Sequence, residues 1–294
     1  MANAAPVEQL FTSTAPGRRV AGRFVAGETL DQAVAVAKRL NDDGLLVSLD
    51  LVGEEVHDRD SALAATEEYL ESLDRIRAEG LRANISVKPT QLGLSTDEAL
   101  AMDAIAELGK RASAVGTTVT IDMEDSRYTE STIRLFERGQ ELTGNFGVAL
   151  QAYMRRTPAD LERLIPLGGH IRLCKGAYAE PEDVALQTKS GVDAAYARQL
   201  RRLMEADTTT PAVATHDTDL LDLAIEMAGD RRSPFEFQML YGVRRDLQRD
   251  LVDQGHPLRI YLPFGSQWYP YLTRRLAERP ANALFLARAL FSRG

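Results

Sequence analysis

Short β-branched or aliphatic runs bounded by turn residues recur along the chain: 45–52 (LLVSLDLV), 82–88 (RANISVK), 117–123 (TTVTIDM), 147–153 (GVALQAY), 169–175 (GHIRLCK), 211–216 (PAVATH), 235–240 (FEFQML) and 258–263 (LRIYLP). Runs of this length and composition predict strands. Between them, apolar residues at three- and four-residue spacing predict helices over 61–79, 96–115, 129–142, 188–206, 217–229 and 243–254, and one more over 28–41, ahead of the first strand. Ser95, with Glu98 three residues later, reads as the cap of the 96–115 helix. Thr157-Pro158 opens another helix in cap-then-proline order. The repeating unit is a strand followed by a helix.

Eight such strands with no long linker or low-complexity block between them predict a distorted (β/α)8 TIM-type barrel rather than an open doubly wound sheet. The dinucleotide fingerprint G-x-G-x-x-G is absent, which weakens the open-sheet alternative. The length of 294 residues with 44% hydrophobic content accommodates one barrel of about 250 residues. Residues 1–43 are expected to form an N-terminal arm and helical cap, with the first ~20 loose, and residues 44–294 the barrel, as one domain overall.

A net charge of -8 argues against general nucleic-acid binding, which needs a basic face, but leaves room for a small anion held by local arginines. The single cysteine, Cys174, excludes an intramolecular disulfide, and the cytoplasm is the expected compartment. No basic-then-apolar leader opens the chain, and no window of about 18 uninterrupted apolar residues occurs, so membrane contact is expected to be peripheral. The four histidines (His57, His170, His216, His256) show no HxH or HxxxH spacing, and no metal site is expected.

In a barrel of this kind, chemistry gathers at the C-terminal ends of the strands. Lys88, Asp122, Gln151, Tyr153, Lys175, Tyr178, His216, Gln238, Tyr241 and Tyr261 stand there, a denser set of functional groups than a purely structural rim needs. Arg172 and Lys175 are read as directed by one strand toward one side, where they suit an anionic cofactor. Beyond the last strand, Arg274, Arg275 and Glu278 share a predicted helix, and two adjacent guanidiniums form a fork for a carboxylate. Each has an ordinary reading as well. RRLAER suits a solvated helix face, Lys88 a snorkelling lysine, His216 a structural histidine, and Tyr178, Leu240 and Tyr261 core residues; Gln151 and Gln238 can serve cofactor or backbone equally.

The segment from Tyr261-Leu-Pro-Phe-Gly to Arg274-Arg275-Leu-Ala-Glu278-Arg-Pro resembles the C-terminal signature of the proline dehydrogenases. Ser86-Val-Lys88-Pro, Ile121-Asp122-Met-Glu, Arg172-Leu-Cys-Lys175-Gly-Ala-Tyr178, Ala214-Thr-His216-Asp and Glu236-Phe-Gln-Met-Leu240-Tyr241-Gly resemble the family's motifs at successive strand ends, so the resemblance runs over about 80–285. It implies FAD-dependent oxidation of L-proline to 1-pyrroline-5-carboxylate, with electrons passing to a membrane quinone at the inner membrane face and a separate pyrroline-5-carboxylate dehydrogenase downstream, since the barrel and its cap leave no room for that domain. It implies substrate contacts from Lys88, Asp122, Tyr178, Leu240, Tyr261, Arg274 and Arg275, with Asp122 helping to hold Lys88 and the Tyr261 ring excluding a 4-hydroxyl. Cofactor contacts are implied for Gln151, Arg172, Lys175, Ala177, Thr215, His216 and Gln238, a gating ion pair for Arg172 and Glu278, and a C-terminal helix lying over the barrel mouth.

Two departures from the family pattern stand out: Ala179-Glu180-Pro181 where a large residue is common, and Cys174 in place of valine. Two rival functions remain on the residues alone. One is a Schiff-base lyase or aldolase using Lys88 or Lys175, which leaves the Arg-Arg-Glu helix unexplained. The other is a non-catalytic ligand-binding barrel.

Overall fold

The computed structural model describes residues 21–53, 56–229 and 231–277, the last four as backbone only. Eight parallel strands close on themselves in sequential order. They are β1 (Leu46–Leu51), β2 (Ala83–Val87), β3 (Val119–Ile121), β4 (Phe146–Gln151), β5 (His170–Cys174), β6 (Thr210–Ala214), β7 (Glu236–Leu240) and β8 (Leu258–Phe264). The β1 to β8 seam runs from Leu46 opposite Arg259 to Leu51 opposite Phe264. The barrel expected from the strand and helix alternation is what forms.

Each strand is covered on both faces, yet the two faces differ in chemistry. Val47, Leu49, Ile85, Val87, Val119, Ile121, Ile171, Leu173, Phe237, Met239, Ile260 and Leu262 all belong to the main apolar core. The alternate positions are largely polar: Ser48, Asp50, Asn84, Ser86, Thr120, Gln151, Arg172, Glu236, Gln238 and Arg259 are all buried. Arg172 on β5 reaches Ser86 on β2 and Gln238 on β7, and such contacts between distant strands run through the barrel interior. The two-residue period of the strands thus sends hydrocarbon outward to the helices and hydrogen-bonding groups inward.

The outer ring is α2 (Arg59–Ala78), α3 (Glu98–Val115), α4 (Thr129–Thr143), α5 (Thr157–Leu164), α6 (Lys189–Met204), α7 (Thr218–Ala228) and α8 (Arg245–Asp253), preceded by α1 (Leu30–Asp42). α1 starts with a capping box between Thr29 and Gln32 and buries Ala33, Val34, Val36 and Ala37 in the main core, against β1 and β8. A helix that precedes the first strand therefore covers the seam between first and last. This leaves α9 (Trp268–Ala277), the helix after β8, to pack elsewhere. Trp268, Tyr271 and Leu272 join Ala21, Phe24, Val25 and Val52 in a second cluster, and Tyr271 reaches the cavity at the C-terminal strand ends, so α9 lies at the mouth.

Two helix starts differ from the sequence reading. The cap of α3 is Asp97, whose carboxylate accepts from the Ala99 amide, while the Ser95 hydroxyl donates to the Val56 carbonyl. Aspartate is as good a cap as serine, and it stands directly beside the first helical residue. Thr157 is the first residue of α5 rather than its cap, and its hydroxyl donates to the Gln151 carbonyl at 2.7 Å, tying the helix to the end of β4.

Candidate active site

A cavity of about 820 Å³ opens at the C-terminal ends of the strands, a volume in the range of ligand sites. Lys88, Asp122, Tyr178, Leu240 and Tyr261 line it, as do Gln151, Arg172, Lys175, Ala177, Thr215, His216 and Gln238. The twelve site residues expected from sequence whose side chains are described thus meet at one cavity. Arg274 and Arg275 lie on the backbone of α9, with their side chains outside the described residues, and Glu278 lies outside them altogether.

Arg172 is the hub. Its Nη1 donates to Asp122 Oδ1 at 2.5 Å and to Ser86 Oγ at 2.9 Å, and its Nε donates to Gln238 Oε1 at 2.5 Å. The guanidinium lies over the Tyr261 ring, 5.2 Å from its centroid. Tyr261 in turn donates its hydroxyl to Asp122 Oδ2 at 2.6 Å, and burial pushes the phenol well above its ordinary pKa, so it remains a donor. Arg172 Nη2 is buried with no hydrogen-bond partner among the described residues. Arg172, 4% exposed, thus lines the cavity with one guanidinium nitrogen unsatisfied.

Lys88 projects from the end of β2 and forms an ion pair with Asp50 of β1. Asp50 is thus the direct partner of the lysine, and the help expected of Asp122 comes without a bond. Asp122 is spent on Arg172, Ser86 and Tyr261, and contributes to Lys88 only at longer range. Burial works against the ammonium, but the carboxylates of Asp50, Asp122 and Glu124 outweigh it and raise its pKa, so Lys88 stays a cation facing the cavity. Glu124, two residues past Asp122, accepts from the Thr90 amide at 2.8 Å and hydroxyl at 2.5 Å. Burial nevertheless lifts its pKa to about 7.

Arg172 and Lys175 do not share a side of the strand. Three positions apart, they have opposite parity, and Lys175 lies past the end of β5. Its ammonium donates to Asp193 of α6 at 2.5 Å and to Asp217 at 2.6 Å, so it reaches the cavity from the rim, beside Lys189. His216 accepts from the Leu240 amide through Nε2 at 3.1 Å, which places the proton of the neutral ring on Nδ1.

The loop after β5 is fixed by its neighbours. Gly176 has φ +122°, and a Cβ there would stand 2.2 Å from the Tyr153 ring. The Tyr153 hydroxyl accepts from the Tyr178 amide at 3.3 Å and donates to the Tyr178 carbonyl at 3.2 Å, which presents the Tyr178 ring at the mouth, 36% exposed. Gln151 bridges the loop to the end of β3, accepting from the Ala177 amide and donating to the Glu124 carbonyl. Glu180, the departure from the family pattern, accepts from the amide and hydroxyl of Ser126, both at 2.7 Å, and clasps this loop to the turn after β3.

Functional contacts come as well from residues outside the expected set: Asp50, Glu124, Asp193, Asp217, and the pair Glu236 and Arg259, whose guanidinium binds the carboxylate at 2.7 and 2.9 Å. Polar residues two apart within apolar strands were the available signal: Ser48 and Asp50 in β1, Glu236 and Gln238 in β7.

Residues 33–288 match the family model described as proline dehydrogenase. The chain is 36% identical over 276 residues to proline dehydrogenase 1 of Bacillus subtilis subsp. natto, covering 93% of this chain and 91% of that one. It is 35% identical over 282 residues to the proline dehydrogenase of Deinococcus radiodurans, covering 92% and 90%. Among solved structures it is similar to proline utilization A of Bdellovibrio bacteriovorus, crystallised after inactivation by N-propargylglycine, with a TM-score of 0.84 and 25% identity. That match covers 94% of this chain and 34% of the other, so the chain spans about a third of that protein.

Proposed function

This chain belongs to the proline dehydrogenase family, and from that premise we propose that it oxidises L-proline to 1-pyrroline-5-carboxylate, the first step of proline catabolism, using FAD held in the 820 Å³ cavity. The observation that carries the cofactor assignment is the buried, unpartnered Arg172 Nη2, which calls for an acceptor atom from a ligand. The donor set fits a flavin: Arg172 and the His216 ring at the strand ends, Lys175 and Lys189 at the rim for a pyrophosphate, and the Tyr178 ring at the mouth. When bound, FAD accepts the hydride released from the carbon beside the proline nitrogen.

The protein's own part is placement and electrostatics. Lys88 supplies a fixed positive charge for the substrate carboxylate, and Arg274 and Arg275 on α9 supply the guanidinium fork. Leu240 and the Tyr261 ring give the pyrrolidine an apolar enclosure, while Asp122 locks that ring in place. Glu278 is assigned the gating role opposite Arg172, and the family resemblance supports a membrane quinone as electron acceptor, peripheral docking at the inner membrane face and a separate dehydrogenase for the product. Among the described residues, no helix is long and apolar enough to cross a membrane.

A Schiff-base mechanism is disfavoured, because it needs a free amine. Lys88 is held charged by its carboxylates, and Lys175 is bonded to two aspartates. The test is the visible spectrum of the FAD-reconstituted protein under anaerobic conditions. Addition of L-proline is expected to bleach the flavin band. A yellow protein that proline leaves unbleached would overturn the substrate assignment, and one that retains no flavin would overturn the cofactor.

A further inference from the structure

A column of buried polar side chains runs down the barrel from the cavity. Arg172 Nε donates to Gln238 Oε1 at 2.5 Å, Gln238 Nε2 donates to Glu236 Oε1 at 2.6 Å, and Glu236 accepts both Nε and Nη2 of Arg259. Arg259 Nη1 donates to the Val47 carbonyl at 2.9 Å, and Arg259 lines a separate cavity at the N-terminal ends of the strands. Glu236 does not line the catalytic cavity, so the substrate chemistry described above makes no use of it.

An amide between a carboxylate and a guanidinium has one acceptable orientation, with its NH2 toward the acid and its oxygen toward the cation. Gln238 is in that position and 5% exposed. Glu236 stays ionised: burial opposes the charge, but Arg259 outweighs burial and holds the carboxyl below its ordinary range. The side chain that fixes the Gln238 oxygen on Arg172 is therefore itself fixed from below by an ion pair.

We propose that Glu236 is a positioning residue for proline oxidation, acting through Gln238 to hold the Arg172 guanidinium in place at the cavity wall. Asp122 and Ser86 fix one side of the guanidinium, and Gln238 fixes the other. Without Glu236 the amide of Gln238 is free to reverse, and an NH2 turned toward Arg172 Nε would repel it. The Arg172 charge would then be held on one side only. The proposal deepens the flavin reading and rests on it for its effect on catalysis, but not for its effect on Arg172 itself.

A lone Glu236→Gln change would leave Arg259 buried and unpaired, a costly defect that obscures the result. The decisive variant is Glu236→Met with Arg259→Met, which replaces the pair by apolar side chains, a kind of exchange that folded proteins often tolerate. Two quantities are measured. In the ligand-free protein, hydrogen exchange at Arg172 Nε, identified by its loss in Arg172→Lys, is expected to quicken about tenfold or more. In the FAD-loaded protein, weaker positioning of a cation beside a ring that gains negative charge is expected to cost about tenfold in preference for the reduced form, roughly 30 mV for a two-electron couple.

A purely structural role for the pair predicts changes in melting alone. If the double variant is folded and its Arg172 Nε exchange matches wild type, the proposal is overturned. If it does not fold, Gln238→Met, which leaves the ion pair intact, replaces it: the same two shifts sustain the role of the amide link, and their absence overturns it. Failure of the wild-type protein to retain flavin would sink the functional reading while the exchange measurement still decides the positioning.

Discussion

At the scale of single residues, the site is built from side chains that each hold another in place. Tyr261 shows the logic: Asp122 takes its hydroxyl and Arg172 covers its ring, so the ring is a rigid wall. Tyr261→Phe is expected to keep proline's advantage over trans-4-hydroxyproline while losing about 1.5–3 kcal/mol of stability with the hydrogen bond to a charged acceptor, read by chemical denaturation. Tyr261→Ser should relax that advantage, read as the ratio of kcat/KM for the two substrates; an unchanged ratio shows that the ring is not the wall. Glu124 sets a pH dependence. Its folded pKa, about 7, lies above the ordinary 4.5, so the folded protein binds the proton more tightly than the unfolded chain. The stability from this group is fully present below the unfolded value and is lost as pH rises through the folded one, on the order of 3 kcal/mol in all. Melting temperature in wild type should therefore fall between about pH 5 and about pH 8 relative to Glu124→Gln; parallel profiles would refute the assignment.

At the scale of elements, the strands and helices were legible because their apolar periods are long and repeated, and strand ends in a barrel face one side. What was not legible was which acid serves which cation. Asp50 and Asp122 both stand at strand ends, and only the stagger of neighbouring strands decides that Lys88 meets the first and Arg172 the second. The reading of Lys175 failed for a different reason: three positions from Arg172 it has the opposite parity in any regular strand, and it lies past the end of β5 as well. Helix starts failed for a smaller reason: Ser95 and Asp97 are both good caps two residues apart. Asp97→Ala is expected to cost about 1 kcal/mol, and Ser95→Ala no more than about 0.5. The midpoints of denaturant unfolding distinguish them, and the reverse order would restore Ser95 as the cap.

At the scale of the whole molecule, the interior of the barrel is a polar, hydrogen-bonded shaft inside a sleeve of hydrocarbon, and its upper end is the cavity. A ligand that fills that end and binds only the folded chain stabilises it by mass action, about 2.7 kcal/mol at a hundred times its dissociation constant. FAD added to flavin-free protein is accordingly expected to raise the melting temperature by several degrees in thermal denaturation, and a melting curve indifferent to FAD would count against the cavity as its site. The seam between β1 and β8 carries a further consequence, for the chain as it is made. Val47 and Arg259 join across 212 residues, which a ribosome adding roughly 5–20 residues per second needs on the order of ten seconds or more to span. During that interval β1 has no closing neighbour, and after β7 is made its Glu236 has no guanidinium beside it. The last strand to be synthesised brings both the seal of the sheet and the counter-charge of its interior, so a chain stalled before β8 lacks the two together.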